Sequence, residues 1–227
     1  MYTFNKKDLV KNIKGLTLLE LTISVIIFGL LLFAMYATLD VGLKGWQLGS
    51  TKSDLHQKAE IVLSRIIREL TYSTALSVQI ENDGNPESLN QYISFETPMD
   101  NNGSLQIDPN TCGAPKWQGY ILYYIKPRVG DPSKEKKYIY RNYVPRTDAS
   151  IYPAIMPAIT NHINATTGNN VRTLVKDIYS IDFDRTGNII TVNVCFQSYI
   201  RKESSVAFSS NKGTEIIKMS TSIKPKN

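Results

Sequence analysis

Glu20 is the most unusual acid in this chain. It stands in a run from Leu16 to Leu39 that otherwise holds no Asp, Glu, Lys or Arg. An ionised carboxylate in hydrocarbon is penalised, so an acid placed this way marks a functional site and needs a partner. Other residue types capable of chemistry are sparse. Cys112 and Cys195 are the two cysteines. In an oxidising compartment they would close a long loop as a disulfide; otherwise they remain two thiols, because a pair carries no spacing code. His56 and His162 are far apart, and no C-x-x-C or H-x-x-x-H accompanies them, so no metal site is expected. Asp182 and Asp184 share a strand face and echo a calcium loop, but the terminal bidentate Glu and the glycine spacing are missing. Asp100-Asn101-Asn102-Gly103 is turn chemistry. With no G-x-S-x-G, zinc motif or phosphate-cradling loop, the chain reads as a non-enzyme without cofactor.

The element that must position Glu20 is a helix. From Leu16 to Leu39 there are about 24 residues, or roughly 36 Å of helix at ~1.5 Å per residue. That suffices to cross a bilayer core of about 30 Å. Ahead of it, Lys6, Lys7, Lys11 and Lys14 against Asp8 place +3 of the formal net charge of +6 in the first fifteen residues. The positive-inside rule then puts residues 1–15 in the cytoplasm and the chain after Leu39 outside. A secretory signal would carry its small-residue cleavage site after the apolar run, and none stands near Ala34-Met35-Tyr36-Ala37. A plain signal anchor fits the length but gives Glu20 no task.

Lys14-Gly15-Leu16-Thr17-Leu18-Leu19-Glu20-Leu21, following a lysine-rich leader, resembles the processing signal of type IV pilins and type II secretion pseudopilins. The resemblance implies that a membrane aspartyl peptidase cuts after Gly15. Leu16 then becomes the mature, N-methylated terminus, where most family members have Phe. It also implies that Glu20 pairs with the positive terminus of a neighbouring subunit during assembly. The expected fold is α+β and pilin-like: a long N-terminal helix on antiparallel β-sheet. The expected organisation is a leader over 1–15, a membrane and assembly helix over 16–39, and an extracytoplasmic domain over 40–227. Within that domain the expectation is an amphipathic helix over 50–76 and a β-rich part over 90–224.

The remaining sequence agrees with that division. Gly42, Gly45 and Gly49 read either as a flexible exit from the bilayer or as a face for close helix contact, with Trp46 at the interface. Thr17, Thr22 and Ser24 are tolerable in the span because hydroxyls bond back to helix carbonyls. Leu55, Ala59, Val62, Leu63, Ile66, Ile67 and Leu70 recur at helical spacing. Should the helix break at the glycines, Ser53 or Asp54 would cap its second part. Tyr92–Thr97, Tyr120–Lys126 and Lys137–Val144 read as strands, the last two as a long-looped hairpin. Residues 145–171 form an extended excursion of the kind that is often functional. Val171–Asp184, Ile189–Ile200 and Thr214–Ile223 close the sheet; in the second, Ile190, Val192, Val194 and Phe196 share one face, with Thr191, Asn193, Cys195 and Gln197 opposite.

Beyond residue 50 the similarity is to the minor-pilin and J-type pseudopilin branch, with Leu63-Ser64-Arg65-Ile66-Ile67-Arg68-Glu69-Leu70 matching that branch's helix. The implied function is a minor subunit at or near a filament tip, in the inner membrane before assembly. Its implied partners are other pilin or pseudopilin subunits, the prepilin peptidase and methyltransferase, the inner-membrane assembly platform and membrane lipid. Two alternatives are a signal-anchored binding or adhesin module and a DNA-uptake pseudopilus subunit. Arg141, Arg146, Arg172, Arg201 and Lys202 near Tyr140, Tyr143 and Tyr199 would serve the latter. They read as scattered surface charges, and no nucleic acid is expected.

Overall fold

A computed structural model describes residues 17–81, 91–110, 113–127, 137–147, 152–163, 165–200 and 213–225. Its elements are one helix, α1 (Leu18–Thr71), and seven strands: β1 (Gln79–Glu81), β2 (Tyr92–Thr97), β3 (Gly119–Pro127), β4 (Lys137–Pro145), β5 (Val171–Thr186), β6 (Ile189–Ile200) and β7 (Gly213–Ile223). Every neighbouring pair is antiparallel and the strands lie in chain order. The fold is therefore α+β, a long N-terminal helix with an antiparallel meander. The chain divides into two compact units, one ending at Gly49 and one beginning at Ser50.

In the first unit α1 is apolar around its circumference from Leu21 to Leu39, where every residue is exposed, with Leu30, Phe33 and Tyr36 among its open side chains. By length and composition this helix suffices to cross a membrane. Its hydroxyls are satisfied internally: Thr22 donates to the Leu19 carbonyl, Ser24 to that of Glu20 and Thr38 to that of Ala34, each at 2.8 Å. Gly42, Gly45 and Gly49 do not interrupt the helix, so no cap at Ser53 or Asp54 is used. Asp40 and Lys44 form an i,i+4 pair across this stretch, which favours helix over a break.

In the second unit Leu55, Ala59, Val62, Leu63, Ile66 and Leu70 lie buried on one face of α1 against Phe95, Ile121, Tyr123, Val192, Val194 and Phe196 of the sheet. Each of the Leu, Val and Ile side chains contributes about 1.5–3 kcal/mol by its burial. The helix stops at Thr71, before the expected 76. Thr71 and Ser73 turn their hydroxyls back onto the carbonyls of Ile67 and Leu70, and this local bonding competes with the helical ladder.

β6 shows the expected alternation, with Ile190, Val192, Val194 and Phe196 buried toward α1 and Thr191, Asn193 and Gln197 half-exposed on the other face. The middle of the sheet differs. Ser94, Glu96, Tyr120, Leu122, Tyr124 and Tyr140 are buried on the face away from α1, because the 152–163 excursion lays Met156 and Ile159 across it. β3 and β4 approach so closely that a Cβ on Gly119 would sit 2.6 Å from the Val144 carbonyl oxygen. The turn between β5 and β6 places Gly187 at φ 62°, a conformation glycine adopts without penalty.

Candidate functional site

Glu20 lies in the first turn of α1, and its carboxylate is engaged by the residue that caps the helix. Thr17 donates to Glu20 Oε2 from both its backbone N–H, at 2.9 Å, and its hydroxyl, at 3.1 Å. The Glu20 N–H donates to Thr17 Oγ1 at 3.3 Å. The first α-helical backbone bond runs from the Leu21 N–H to the Thr17 carbonyl. This reciprocal arrangement is a capping box, in which threonine and glutamate three residues apart satisfy donors that the helix start would leave open. The signal was in the sequence as Thr17-Leu18-Leu19-Glu20, and it gives Glu20 a local task beyond the intersubunit one. Among the described residues Thr17 is Glu20's partner. Gly15 and Leu16 lie outside the described residues, so the expected cleavage point is not placed. Glu20 faces the amide of the residue that directly follows Leu16.

A second acid on α1 occupies an opposite environment, and sequence reasoning did not find it. Glu69 is 3% exposed. It accepts from Tyr123 Oη at 2.5 Å, from Arg141 Nε at 3.0 and 3.1 Å, and from Arg65 Nε at 3.3 Å. Arg65 stands one helical turn before Glu69, and only that i,i+4 spacing was legible. Tyr123 and Arg141 come from β3 and β4, and no local pattern announces them. Burial, with the adjacent Glu69 charge, pushes the Tyr123 hydroxyl well above the usual tyrosine range. Glu69 and Arg141 are buried, while Arg65 is one-third exposed and Arg141 Nη1 has no hydrogen-bond partner among the described residues; the cluster ties α1 to β3 and β4.

A third acid, Glu96 on β2, fixes the excursion. It accepts from Arg146 and, at 2.8 Å, from the Ala154 N–H, while Arg146 also donates to the Tyr152 carbonyl. Tyr124 adds a bond to the Ala165 carbonyl. The 145–171 segment is thus structural where it is described. Arg141 and Arg146 are consequently not surface charges. Both are committed to buried carboxylates and are withdrawn from phosphate recognition. Arg172 is exposed; Arg201 and Lys202 lie outside the described residues.

The remaining candidates are separate. Asp182 accepts from Asn193 at 3.4 Å, and Asp184 accepts from the Arg185 N–H at the hairpin turn. Asp100 Oδ1 accepts from the Asn102 and Ser104 amides, an ordinary turn arrangement. Among the described residues no three His, Cys, Asp or Glu side chains cluster to hold a metal. Cys195 is a thiol buried on β6, and with Cys112 outside the described residues the bridge raised by the sequence is not placed. Burial raises the pKa of that thiol, partly offset by Ser180 and by the Lys218 ammonium.

Fold and site together define an α+β protein with a long, apolar, membrane-capable N-terminal helix whose single early acid is capped by threonine. Comparison of the chain with protein-family models, curated proteins and solved structures found no match.

Proposed function

We propose that this chain is a minor pilin or pseudopilin subunit, processed after Gly15 and assembled through the first part of α1. The observation that carries the reading is Glu20. It is the single acid between Leu16 and Leu39, in a helix whose apolar side chains are open on all sides, and its carboxylate is directed toward the residue next to Leu16. Cleavage would create an ammonium on Leu16. Stacking of apolar helices would exclude water, and in that medium Glu20 of one subunit would offset the terminal charge of another. The leader would stay cytoplasmic and the Ser50–Asn227 unit outside, at the filament surface or tip.

The test is the mass and N-terminal sequence of the native protein. A chain beginning at Leu16 is expected, with Gly15→Ala retaining the leader. A chain that keeps Met1 in its native host would end this reading. A signal-anchored extracytoplasmic module is the second reading, and the capping box favours it, because a helix cap alone gives Glu20 a use. Glu20→Ala separates the two. The subunit reading expects normal cleavage with loss of partner co-purification, whereas the anchor reading expects neither to change.

A further inference from the structure

The two edges of the sheet are unlike. β1 is three residues long, with Arg185 donating to the Val78 carbonyl beside it, so this edge offers a short ladder although a groove of about 670 Å³ also opens there. β7 is eleven residues long, pairs with β6 on one side, and among the described residues has no strand on the other. Along such an edge alternate residues present unpaired N–H and C=O groups, which specify another extended strand as their complement. Beside the edge a groove of about 670 Å³ opens between α1 and β7. Ile61 and Ile67 of α1 and Met219 of β7 supply its apolar surface. Ile61 is half-exposed. The register of β7 on β6 turns Ile217, Met219 and Thr221 to the α1 side, so a strand added beside β7 would direct every second side chain into this groove. Glu60 is the one formal charge lining it and has no cationic partner among the described residues.

We propose that this edge and groove receive an extended segment of a different protein, added as an eighth strand. Its alternate side chains on the groove side are apolar, and a Lys or Arg among them is set against Glu60. The backbone ladder provides affinity, the groove selects alternating apolar residues, and Glu60 selects a cation. This proposal does not rest on cleavage after Gly15: a chain with its leader still attached would bind the strand equally, so the two readings fail separately.

The experiment uses the full chain in detergent and, as probe, a ten-residue peptide alternating valine and threonine with one lysine on the valine face. Amide hydrogen exchange is followed along β1 and β7. At saturation the peptide is expected to slow exchange in β7 at least tenfold and leave β1 unchanged. Two versions of the probe, N-methylated at alternate residues in opposite phases, should divide into one that binds and one that does not. Glu60→Lys should weaken binding about fivefold, and replacing the peptide's lysine with glutamate should restore it to that variant. The proposal is overturned if β7 exchange is unchanged at millimolar peptide, if both N-methylated probes bind, or if the charge exchange has no effect. Slowed β7 exchange that grows with protein concentration in the absence of peptide would also overturn it, by showing that a second copy of the chain occupies the edge.

Discussion

Glu20 and Glu69 share one helix and the same carboxylate chemistry, yet the chain treats them in opposite ways. Glu69 is enclosed by Arg65, Arg141 and Tyr123 within its own unit, and its hydrogen bonds are complete there. Glu20 is exposed, and among the described residues its carboxylate is held by Thr17. The two surroundings follow the two halves of α1. From Leu55 to Leu70 the apolar stripe is buried against the sheet, whereas from Leu18 to Leu43 the apolar side chains are exposed among the described residues. An acid whose partners are supplied by the fold is a matter of stability. An acid left at an uncovered apolar surface is a matter of what later covers that surface.

The strongest way to break this contrast is Glu69→Ala. It strands Arg141 in the core and is expected to cost about 3–5 kcal/mol. Chemical denaturation of the full chain should show a lower midpoint, while Glu20→Ala leaves that transition in place. If both variants shift it equally, the two acids do not divide into a fold role and a surface role. Glu96→Ala is expected to cost somewhat less, about 2–4 kcal/mol, because Arg146 keeps the Tyr152 carbonyl as a partner. Limited proteolysis should then cut within 152–163 at protease concentrations that leave the parent chain intact.

A smaller effect tests the buried cluster by pH. The Tyr123 hydroxyl titrates higher in the folded chain than in the unfolded one, so the folded state holds its proton longer. The associated stability is fully present below the ordinary tyrosine value near 10 and is lost as pH rises beyond it. Denaturation midpoints measured from pH 8 to 11 should fall at the alkaline end, and Tyr123→Phe should flatten that fall. Smallest is Thr17→Ala. It removes the cap and should speed amide exchange in the first turn of α1 several-fold, with no change in the Ser50–Asn227 unit.

Much of the fold was legible because its signals are local. The helical recurrence of Leu55 to Leu70, the alternation of Ile190 to Phe196 and the turn at Gly187-Asn188 each need only neighbouring residues to be read. Thr17-Leu18-Leu19-Glu20 is as local, and its capping geometry was equally available. What could not be read is long-range. Arg141 and Arg146 read as surface charges in the sequence because nothing near them names Glu69 or Glu96. The 152–163 excursion lacks periodicity because its apolar residues, Met156 and Ile159, answer to a sheet surface and not to one another. The end of α1 at Thr71 was missed for a different reason: helical propensity alone did not register the hydroxyl bonds that compete with the ladder.

The order of the strands has one more consequence. Since β1 through β7 lie side by side as they occur along the chain, no strand has to wait for a partner made much later. Such a sheet has low topological complexity and can grow from one end. In a chain synthesised from its N-terminus, each hairpin can close as it is made, with little adhesive surface left waiting in between. The final strand arrives last, so the long edge at β7 is the last part of the sheet to be made.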